Sequence, residues 1–338
     1  MSRSYNMLVL NFVLSFVLCS AHAQQKQWHI YTTENSPLPT NSIHSISINK
    51  NNVKWIGSWG GGLVKFDDQS WTIFNTSNSQ LPHNDIYEVV IDNNNKKWIA
   101  TFGGGIAVMN ESSESTDEFC WTIYDTSNSG LTHNTIYAIA IDSFDNKWIG
   151  TWGSGFFKFD DFEWINFNRD NSSLPNVKVP DIFIDESGIK WIGSAAGLLS
   201  VNDSVWTMYD ESNSPLDAWA VYSMVQDYTG NIWIGFKFNG VAKFDGTSWI
   251  HYTYENSDLP SNTVYSLAID SKNNLWVGTN GSGIAKFDGS VWTIYDKSNS
   301  ELPDNYVFWI TTDRYDNKWI GMMKGGLAVF NENGITDK

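Results

Sequence analysis

Short runs of β-branched and aromatic residues alternate along this chain with clusters of Asn, Gly, Asp and Ser. One unit places such runs at Val264–Ile269, Leu275–Thr279, Ile284–Phe287 and Trp292–Tyr295. Runs of this length and composition, bounded by turn residues, are typical of β-strands, and these units show no helical period. The Asp-Gly pair at 288–289 favours a tight hairpin between the last two runs. The pattern therefore predicts four antiparallel strands in each unit.

The unit recurs seven times. Its most regular feature is Trp-Ile-Gly or a close variant, which begins at Trp55, Trp98, Trp148, Trp191, Trp233, Trp276 and Trp319. The intervals are 43, 50, 43, 42, 43 and 43 residues, so the second unit carries an insertion, near residues 111–120. Four short strands in a period of about 43 residues are typical of a propeller blade. The sequence thus predicts an all-β fold.

The two ends of the repeat region complement each other. Residues 28–31 match the last strand of a unit, whereas the seventh unit stops after its third strand, at residues 327–330. Pairing these two segments completes a seventh blade and closes the ring, which removes exposed sheet edges. We therefore predict one seven-bladed β-propeller over residues 24–338, with four antiparallel strands per blade and the N-terminal strand in the last blade.

The first 23 residues have the character of a signal peptide. Arg3 precedes an apolar run at residues 8–18, and Ala21-His22-Ala23 has the small residues of a cleavage site. The run is shorter than the roughly 20 apolar residues needed to span a bilayer. We expect cleavage before Gln24 and a periplasmic or secreted protein, with no stable membrane insertion once the signal is removed.

Composition limits the classes of binding partner and cofactor that we expect. The formal net charge of −16 opposes binding to nucleic acid and to anionic membranes. After signal removal Cys120 is the only cysteine, so we expect no internal disulfide. Zinc-type cysteine spacing and glycine-rich phosphate loops before a helix are absent, and the sequence predicts no bound cofactor.

The repeat carries a family resemblance. From Trp276 the sequence reads WVGTNGSGIAKFDGSVWTIYDKSNSELPDN. This pattern resembles the two-component regulator propeller repeat, and the resemblance extends over residues 27–331. In that family such repeats commonly form the periplasmic sensing part of hybrid histidine kinases, followed by a β domain, a membrane helix and a kinase. Those further parts do not occur in these 338 residues, so the resemblance implies a standalone sensor-type propeller with a binding role.

Comparing the seven units separates packing positions from candidate sites. We assign the repeat tryptophans to packing between adjacent blades. The same role is expected for the aromatic residues near the first strand, although the Tyr hydroxyls could reach the channel: His44, Tyr87, Tyr137, Tyr222, Tyr265 and Phe308. The position four after each repeat tryptophan varies instead. It reads Trp59, Phe102, Trp152, Ala195, Lys237, Asn280 and Met323.

These variable residues lie in loops between second and third strands, on the face where propellers usually bind ligands. His83, His133 and Trp219 break the pattern of the interblade loops on the same face. Glu88, Asp181 and Trp309 replace Ser or Ala in first strands, which line the central channel. Together with Trp59, Phe102, Trp152 and Lys237 they predict a polar and aromatic pocket that binds a small molecule or an oligosaccharide by ring stacking and hydrogen bonding.

Two alternatives remain open. The first is a scaffold that binds a protein partner over a broader patch, involving the inserted segment 111–119 and Cys120. The second is a metal-assisted lyase similar to streptogramin lyase, a seven-bladed propeller whose site combines His and Glu with a magnesium ion. It requires His83, His133 and Glu88 to converge. We favour the non-catalytic binding module.

Overall fold

The computed structural model describes residues 26–111, 119–202, 204–210, 212–214 and 220–335. In these ranges 28 β-strands form seven antiparallel sheets of four strands each. The strands are β1 (Trp28–Tyr31), β2 (Ile43–Ile48), β3 (Lys54–Ser58), β4 (Gly62–Phe66), β5 (Trp71–Phe74), β6 (Ile86–Ile91), β7 (Lys97–Thr101), β8 (Ile106–Glu111), β9 (Phe119–Tyr124), β10 (Ile136–Ile141), β11 (Lys147–Thr151), β12 (Phe156–Phe159), β13 (Trp164–Phe167), β14 (Asp181–Ile184), β15 (Lys190–Ser194), β16 (Gly197–Asn202), β17 (Val205–Tyr209), β18 (Val221–Gln226), β19 (Ile232–Phe236), β20 (Val241–Phe244), β21 (Trp249–Tyr252), β22 (Val264–Ile269), β23 (Leu275–Thr279), β24 (Ile284–Phe287), β25 (Trp292–Tyr295), β26 (Val307–Thr312), β27 (Lys318–Met322) and β28 (Leu327–Phe330).

Each sheet is one blade. Blades 1 to 6 are β2–β5, β6–β9, β10–β13, β14–β17, β18–β21 and β22–β25, with consecutive strands paired. The first strands of neighbouring blades pack side by side around the centre of the ring. The predicted seven-bladed all-β propeller is confirmed, and the four strands predicted for blade 6 have the predicted bounds.

The N-terminal strand completes blade 7, as predicted. Its sheet has the order β1-β28-β27-β26, with Trp28 opposite Phe330 and Tyr31 opposite Leu327. The Trp28 ring is buried and stacks on Phe330 with ring centroids 4.2 Å apart. Backbone hydrogen bonds extend the seam beyond the strands, because the N–H of Ile335 donates to the carbonyl oxygen of Lys26 at 2.8 Å. The ring is therefore closed by pairing of the two ends of the repeat region.

The repeat tryptophans are buried in the blades, as their packing role predicts. In six blades the indole N–H donates to an Asp carboxylate six residues earlier, at 2.9–3.1 Å: Asp92, Asp142, Asp185, Asp227, Asp270 and Asp313. The same carboxylates accept backbone N–H groups of the hairpin between first and second strands, as Asp142 does from Phe144 and Asn146. One Asp thus fixes a turn and a core tryptophan together.

Blade 1 departs from this arrangement. Asn49 occupies the Asp position, and its side-chain oxygen accepts the backbone N–H groups of Asn51 and Val53, both at 2.9 Å. The turn is therefore preserved. The buried indole nitrogen of Trp55, however, has no hydrogen-bond partner among the described residues.

Neighbouring blades approach each other closely. A Cβ built on Gly235 of the Trp-Ile-Gly sequence in blade 5 would lie 2.6 Å from Cγ1 of Val264, in the next blade. Buried lysines at the start of second strands also cross the interface. The Lys147 ammonium lies 4.9 Å from the ring centroid of Trp98 in the preceding blade. Packing of one blade on the next therefore explains both the glycine at position 235 and the long cationic side chain at position 147.

Three sequence predictions fall outside the described residues: the signal peptide at residues 1–23, Trp219, and most of the inserted segment of blade 2. Within the described ranges, no helix combines the length and the apolar character that a membrane span requires. Cys120 is exposed and is not part of a disulfide.

Candidate functional site at the channel mouth

The loops between second and third strands lie beside the segments that enter the first strands. Backbone N–H groups of Trp59, Phe102 and Trp152 donate to the carbonyl oxygens of Ser42, Asp85 and Thr135 at 3.0–3.1 Å. Corresponding bonds occur in the other four blades. Both sets of loops therefore share one face of the ring, as the sequence predicts, and we call it the mouth face.

A cavity of about 260 Å³ lies on the mouth face at the end of the central channel. We call it the mouth cavity. Its lining residues are His44, Tyr87, Tyr137, Lys178, Pro180, Tyr222, Tyr265, Phe308 and Trp309. All seven blades contribute through the start of the first strand, where one residue points towards the channel while its neighbours pack into the blade.

The aromatic residues of the mouth cavity contact one another around the ring. Tyr87 and Tyr137 have ring centroids 4.4 Å apart, and Phe308 lies 4.5 Å from His44 and 5.1 Å from Tyr265. Tyr222 and Tyr265 face each other at 5.9 Å with an interplanar angle of 14°. We call these six rings the aromatic belt. It is interrupted at blade 4, where Pro180 occupies the position of a ring.

The expectation that these residues pack between blades, with only the Tyr hydroxyls able to reach the channel, is therefore incomplete. Their rings form most of the wall of the mouth cavity. The sequence signal was available, because six of seven units carry an aromatic residue or His at the same position of a strand that lines the channel. Agreement among the units favours a packing role, but a ring of symmetric positions also builds a binding cavity.

The predicted arc of Trp59, Phe102 and Trp152 adjoins the belt on its outer side. Trp59 is half-buried, stacks on His44 at 5.1 Å and lies 5.4 Å from Phe102. Phe102 and Trp152 are 40% and 43% exposed. Trp152 stacks on Tyr137 with centroids 4.9 Å apart. The structure thus brings Trp59 and Phe102 together directly and connects Trp152 to them through the belt.

Two lysines lie on the side of blades 4 and 5. The Lys178 ammonium is 3.5 Å from the centroid of Trp152 and 5.3 Å from that of Tyr137. The Lys237 ammonium is 5.9 Å from the centroid of Tyr222. Burial, and then the charge of Lys237, lower the pKa of Lys178. Lys237 was a predicted site residue, whereas Lys178 was missed because it follows an interblade loop with no unusual residue type.

The structure does not bring His83, His133 and Glu88 together as metal ligands. Nδ1 of His83 accepts the backbone N–H of Asp85 at 3.0 Å, and Nδ1 of His133 accepts that of Thr135 at 2.9 Å. Both histidines therefore stabilise turns at the entrance to first strands. Among the described residues, no three His, Cys, Asp or Glu side chains are grouped so that they could hold a metal ion.

Glu88, Asp181 and Trp309 line a deeper cavity of about 220 Å³ in the channel. Each also ties its blade to another part of the ring. Glu88 accepts the N–H of Ile139 at 2.7 Å, and the Trp309 indole donates to the carbonyl oxygen of Ile46 at 3.0 Å. Ser hydroxyls at the same strand position make the equivalent contact in other blades, at 2.9–3.0 Å.

Burial raises the pKa values of both channel carboxyls. For Asp181 the pKa rises to about 7, and hydrogen bonds from Met224 and Ile182 oppose this shift. For Glu88 it rises well above its usual range, and the charge of Asp181 adds to the effect. The histidine in the belt shifts the other way, because burial lowers the pKa of His44 to about 4. At neutral pH His44 is therefore uncharged, and both channel carboxyls hold a proton more readily than an exposed carboxyl does.

A second cavity, of about 310 Å³, lies on the opposite face beside the ring closure. Its lining includes Asp67, Asp68, Asp313, Arg314 and Tyr315. Several of these carboxylates already serve the hairpins, as Asp67 does by accepting the backbone N–H of Ser70 at 2.7 Å. The mouth cavity, where side chains from all seven blades converge, is the better candidate site.

Comparisons with known proteins agree with the fold. Residues 258–281 match the family model described as two component regulator propeller. The extracellular domain of the putative hybrid two-component system BT3049 from B. thetaiotaomicron aligns with a TM-score of 0.74 and 22% identity, over 93% of this chain and 44% of that one. Streptogramin B lyase aligns with a TM-score of 0.70 and 12% identity, over 90% and 98%.

PorZ, a surface component of the type-IX secretion system of Porphyromonas gingivalis, aligns with a TM-score of 0.66 and 18% identity, over 86% of this chain and 46% of that one. This chain thus spans less than half the length of the sensor and secretion proteins it resembles. No curated protein sequence matches it. The chain is a seven-bladed β-propeller, and its residues 258–281 match the two-component regulator propeller repeat.

Proposed function

We propose that this propeller is an exported, non-catalytic ligand-binding module of the sensor type, and that it binds its ligand in the mouth cavity. The observation that carries the proposal is the aromatic belt, in which six blades direct a ring to one cavity. A predicted signal peptide and the resemblance to an extracellular sensor domain support a site of action in the periplasm or outside the cell.

Carbohydrate fragments are the ligand class that the lining favours. Aromatic rings present flat apolar faces, and Tyr87, Tyr137, Tyr222 and Tyr265 add hydroxyl groups that donate and accept hydrogen bonds. A volume of about 260 Å³ is near the lower end of typical small-molecule sites, which begin at roughly 300 Å³. The cavity therefore suits one or two sugar rings, with Phe102 and Trp152 at the rim for a longer fragment.

The test is a calorimetric binding screen of the purified protein against neutral and acidic oligosaccharides. For any sugar that binds, Tyr222→Ala and Trp152→Ala are expected to weaken binding by about 10-fold or more each, because stacked rings contribute roughly 0.5–1.5 kcal/mol beyond their buried area. Phe162→Ala is the matched control, since this ring is 94% exposed on a hairpin of the opposite face. Equal affinity in all three variants would show that the mouth cavity is not the site.

A protein partner is the second candidate. Among the described residues, six large apolar or aromatic side chains are at least 40% exposed on the mouth face: Phe102, Trp152, Phe238, Tyr254, Tyr306 and Met323. Such a rim is typical of an interaction surface. A partner captured by the wild-type protein and lost in a Phe238→Ser and Met323→Ser double variant, with no sugar bound by either protein, would favour this function.

The lyase alternative receives no support from the arrangement of His83, His133 and Glu88. The likeness to streptogramin B lyase, at 12% identity, extends to the fold alone.

A further inference from the structure

We infer that the ligand of the mouth cavity is an anion, namely an acidic sugar whose carboxylate or sulfate group binds Lys178 and Lys237. This inference rests on the proposed function. It assigns a charge and a position to the ligand, which the aromatic belt alone does not.

The mouth cavity has a charge opposite to that of the protein. The chain carries a formal net charge of −16, yet none of the described residues that line this cavity is a carboxylate. Among the described lining residues Lys178 is the cationic side chain, because burial lowers the pKa of His44 to about 4. A positively charged site in an acidic protein therefore favours an anionic ligand over a neutral or a cationic one.

Lys178 and Lys237 have no carboxylate partner within ion-pair distance among the described residues. Six other lysines do: Lys54, Lys65, Lys97, Lys147, Lys286 and Lys318. The lowered pKa of Lys178 shows that its charge is opposed by burial and by Lys237. A bound anion would relieve both effects, because it supplies the missing counter-charge.

The position of Lys178 coincides with the gap in the aromatic belt. Blade 4 contributes Pro180 where other blades contribute a ring, and Lys178, two residues earlier, reaches over Trp152 instead. Tyr137 and Tyr222 flank this gap as lining residues from blades 3 and 5. An acidic sugar would therefore place its anionic group at blades 4 and 5 and its ring against Tyr137 or Tyr222.

In the described ranges, which leave out residues 215–219, the nearby carboxylates do not cancel this charge. On the other side of the mouth face, Asp85 already accepts the backbone N–H of Gly60 at 2.6 Å. Glu88 and Asp181 lie deeper in the channel, and their raised pKa values reduce their negative charge near neutral pH. The anion would lie above these carboxyls, at the mouth of the channel.

The experiment compares three probes by isothermal titration calorimetry on the purified protein at pH 6.5: digalacturonate, its neutral counterpart galactobiose, and galactose 6-sulfate. Digalacturonate is expected to bind at least about 10-fold more tightly than galactobiose, since a charged hydrogen bond contributes about 10-fold to 100-fold in affinity. Lys178→Gln should remove most of this preference and Lys237→Gln a smaller part. Lys272→Gln, an exposed lysine on a hairpin of the opposite face, should leave it unchanged.

The outcomes separate this inference from the proposed function. If galactobiose binds as tightly as digalacturonate, and Tyr222→Ala weakens both equally, the ligand site stands and the anion preference is wrong. If neither acidic probe binds at millimolar concentration, the inference is overturned. A preference for galactose 6-sulfate over digalacturonate, lost in Lys178→Gln, would assign the anion as a sulfate.

Discussion

The unpaired indole of Trp55 offers a direct test of how the repeat is stabilised. In six blades an Asp carboxylate accepts the tryptophan N–H, and in blade 1 Asn49 stands in its place. The Asn49 side-chain oxygen already makes both turn hydrogen bonds, so its NH₂ group takes the place of the second carboxylate oxygen, where it donates a long hydrogen bond of 3.4 Å to Oδ1 of Asn95 in blade 2. Asn49→Asp would replace this donor by an acceptor for Trp55 without changing the turn.

The magnitude follows from the burial of the indole. A buried donor without a partner destabilises a protein by about 1–3 kcal/mol, and a hydrogen bond to a charged group contributes a similar amount. We therefore expect Asn49→Asp to raise the free energy of unfolding by about 1–3 kcal/mol at pH 7. The new carboxylate would be in the environment that Asp92 occupies in blade 2, where the indole of Trp98 donates at 3.1 Å.

Equilibrium unfolding in guanidinium chloride measures the effect, and Asp92→Asn is the matched reverse variant. It should lower stability by a similar amount, because it leaves Trp98 in the situation of Trp55. The gain in Asn49→Asp should also disappear at acid pH. The equivalent carboxyl of blade 3, Asp142, gives the reason. Burial would raise its pKa, but hydrogen bonds from Trp148 and Asn146 outweigh burial and lower the pKa.

A carboxylate with a lowered pKa contributes stability that is present above its unfolded pKa of about 4 and is lost as the pH falls through the folded value. Unchanged or reduced stability of Asn49→Asp at pH 7, together with a stable Asp92→Asn, would refute the role assigned to the Asp–Trp pair.

Three further predictions concern the channel and the blade interfaces. Because the pKa of Asp181 is raised to about 7, its neutral form stabilises the fold below pH 4 and this contribution is lost as the pH rises through 7. Asp181→Asn should therefore be more stable than wild type at pH 8, by at most about 4 kcal/mol, and close to wild type at pH 4. Urea unfolding at both pH values measures this, and a difference that does not depend on pH would contradict it. The variant Asp258→Asn, at an exposed position, is the control. Gly235→Ala should lower the free energy of unfolding by about 1–3 kcal/mol, because its Cβ would overlap with Val264. Ala100→Gly is the reverse change at the equivalent position of blade 2. It should lower the free energy of unfolding by less than about 1 kcal/mol, which is the usual effect of placing Gly in a strand.

The strands could be predicted from sequence because their determinants are local. In blade 6 the Asp-Gly turn and the alternation of apolar residues fix the bounds of β22–β25 within one unit of the repeat. The closure was also predictable, since Trp28 matches the fourth-strand tryptophans and the seventh unit lacks one. Both inferences need only a comparison of the units with one another.

The site was less predictable because its residues converge from separate blades. Lys178 follows an unremarkable loop, and its role depends on the absence of a ring at Pro180 and on the distance to Trp152. His83 and His133 stood out by residue type, yet each Nδ1 is engaged by a backbone N–H two residues later. Such local hydrogen bonds and the curvature of the ring decide which unusual side chains face the cavity, and neither can be recognised from residue type alone.

The pairing of β1 with β28 also determines the order in which the ring can assemble. Blades 1 to 6 are built from consecutive strands, so their hairpins can form locally and quickly. Trp28 and Phe330 pair across almost the entire described chain, and bringing such distant segments together carries a loop-closure entropy penalty. Closure is therefore expected to be the late and slow step of folding. A four-residue strand thus joins the two ends of the repeat region, and its release would leave blade 7 with three strands while the hairpins of blades 1 to 6 stay intact.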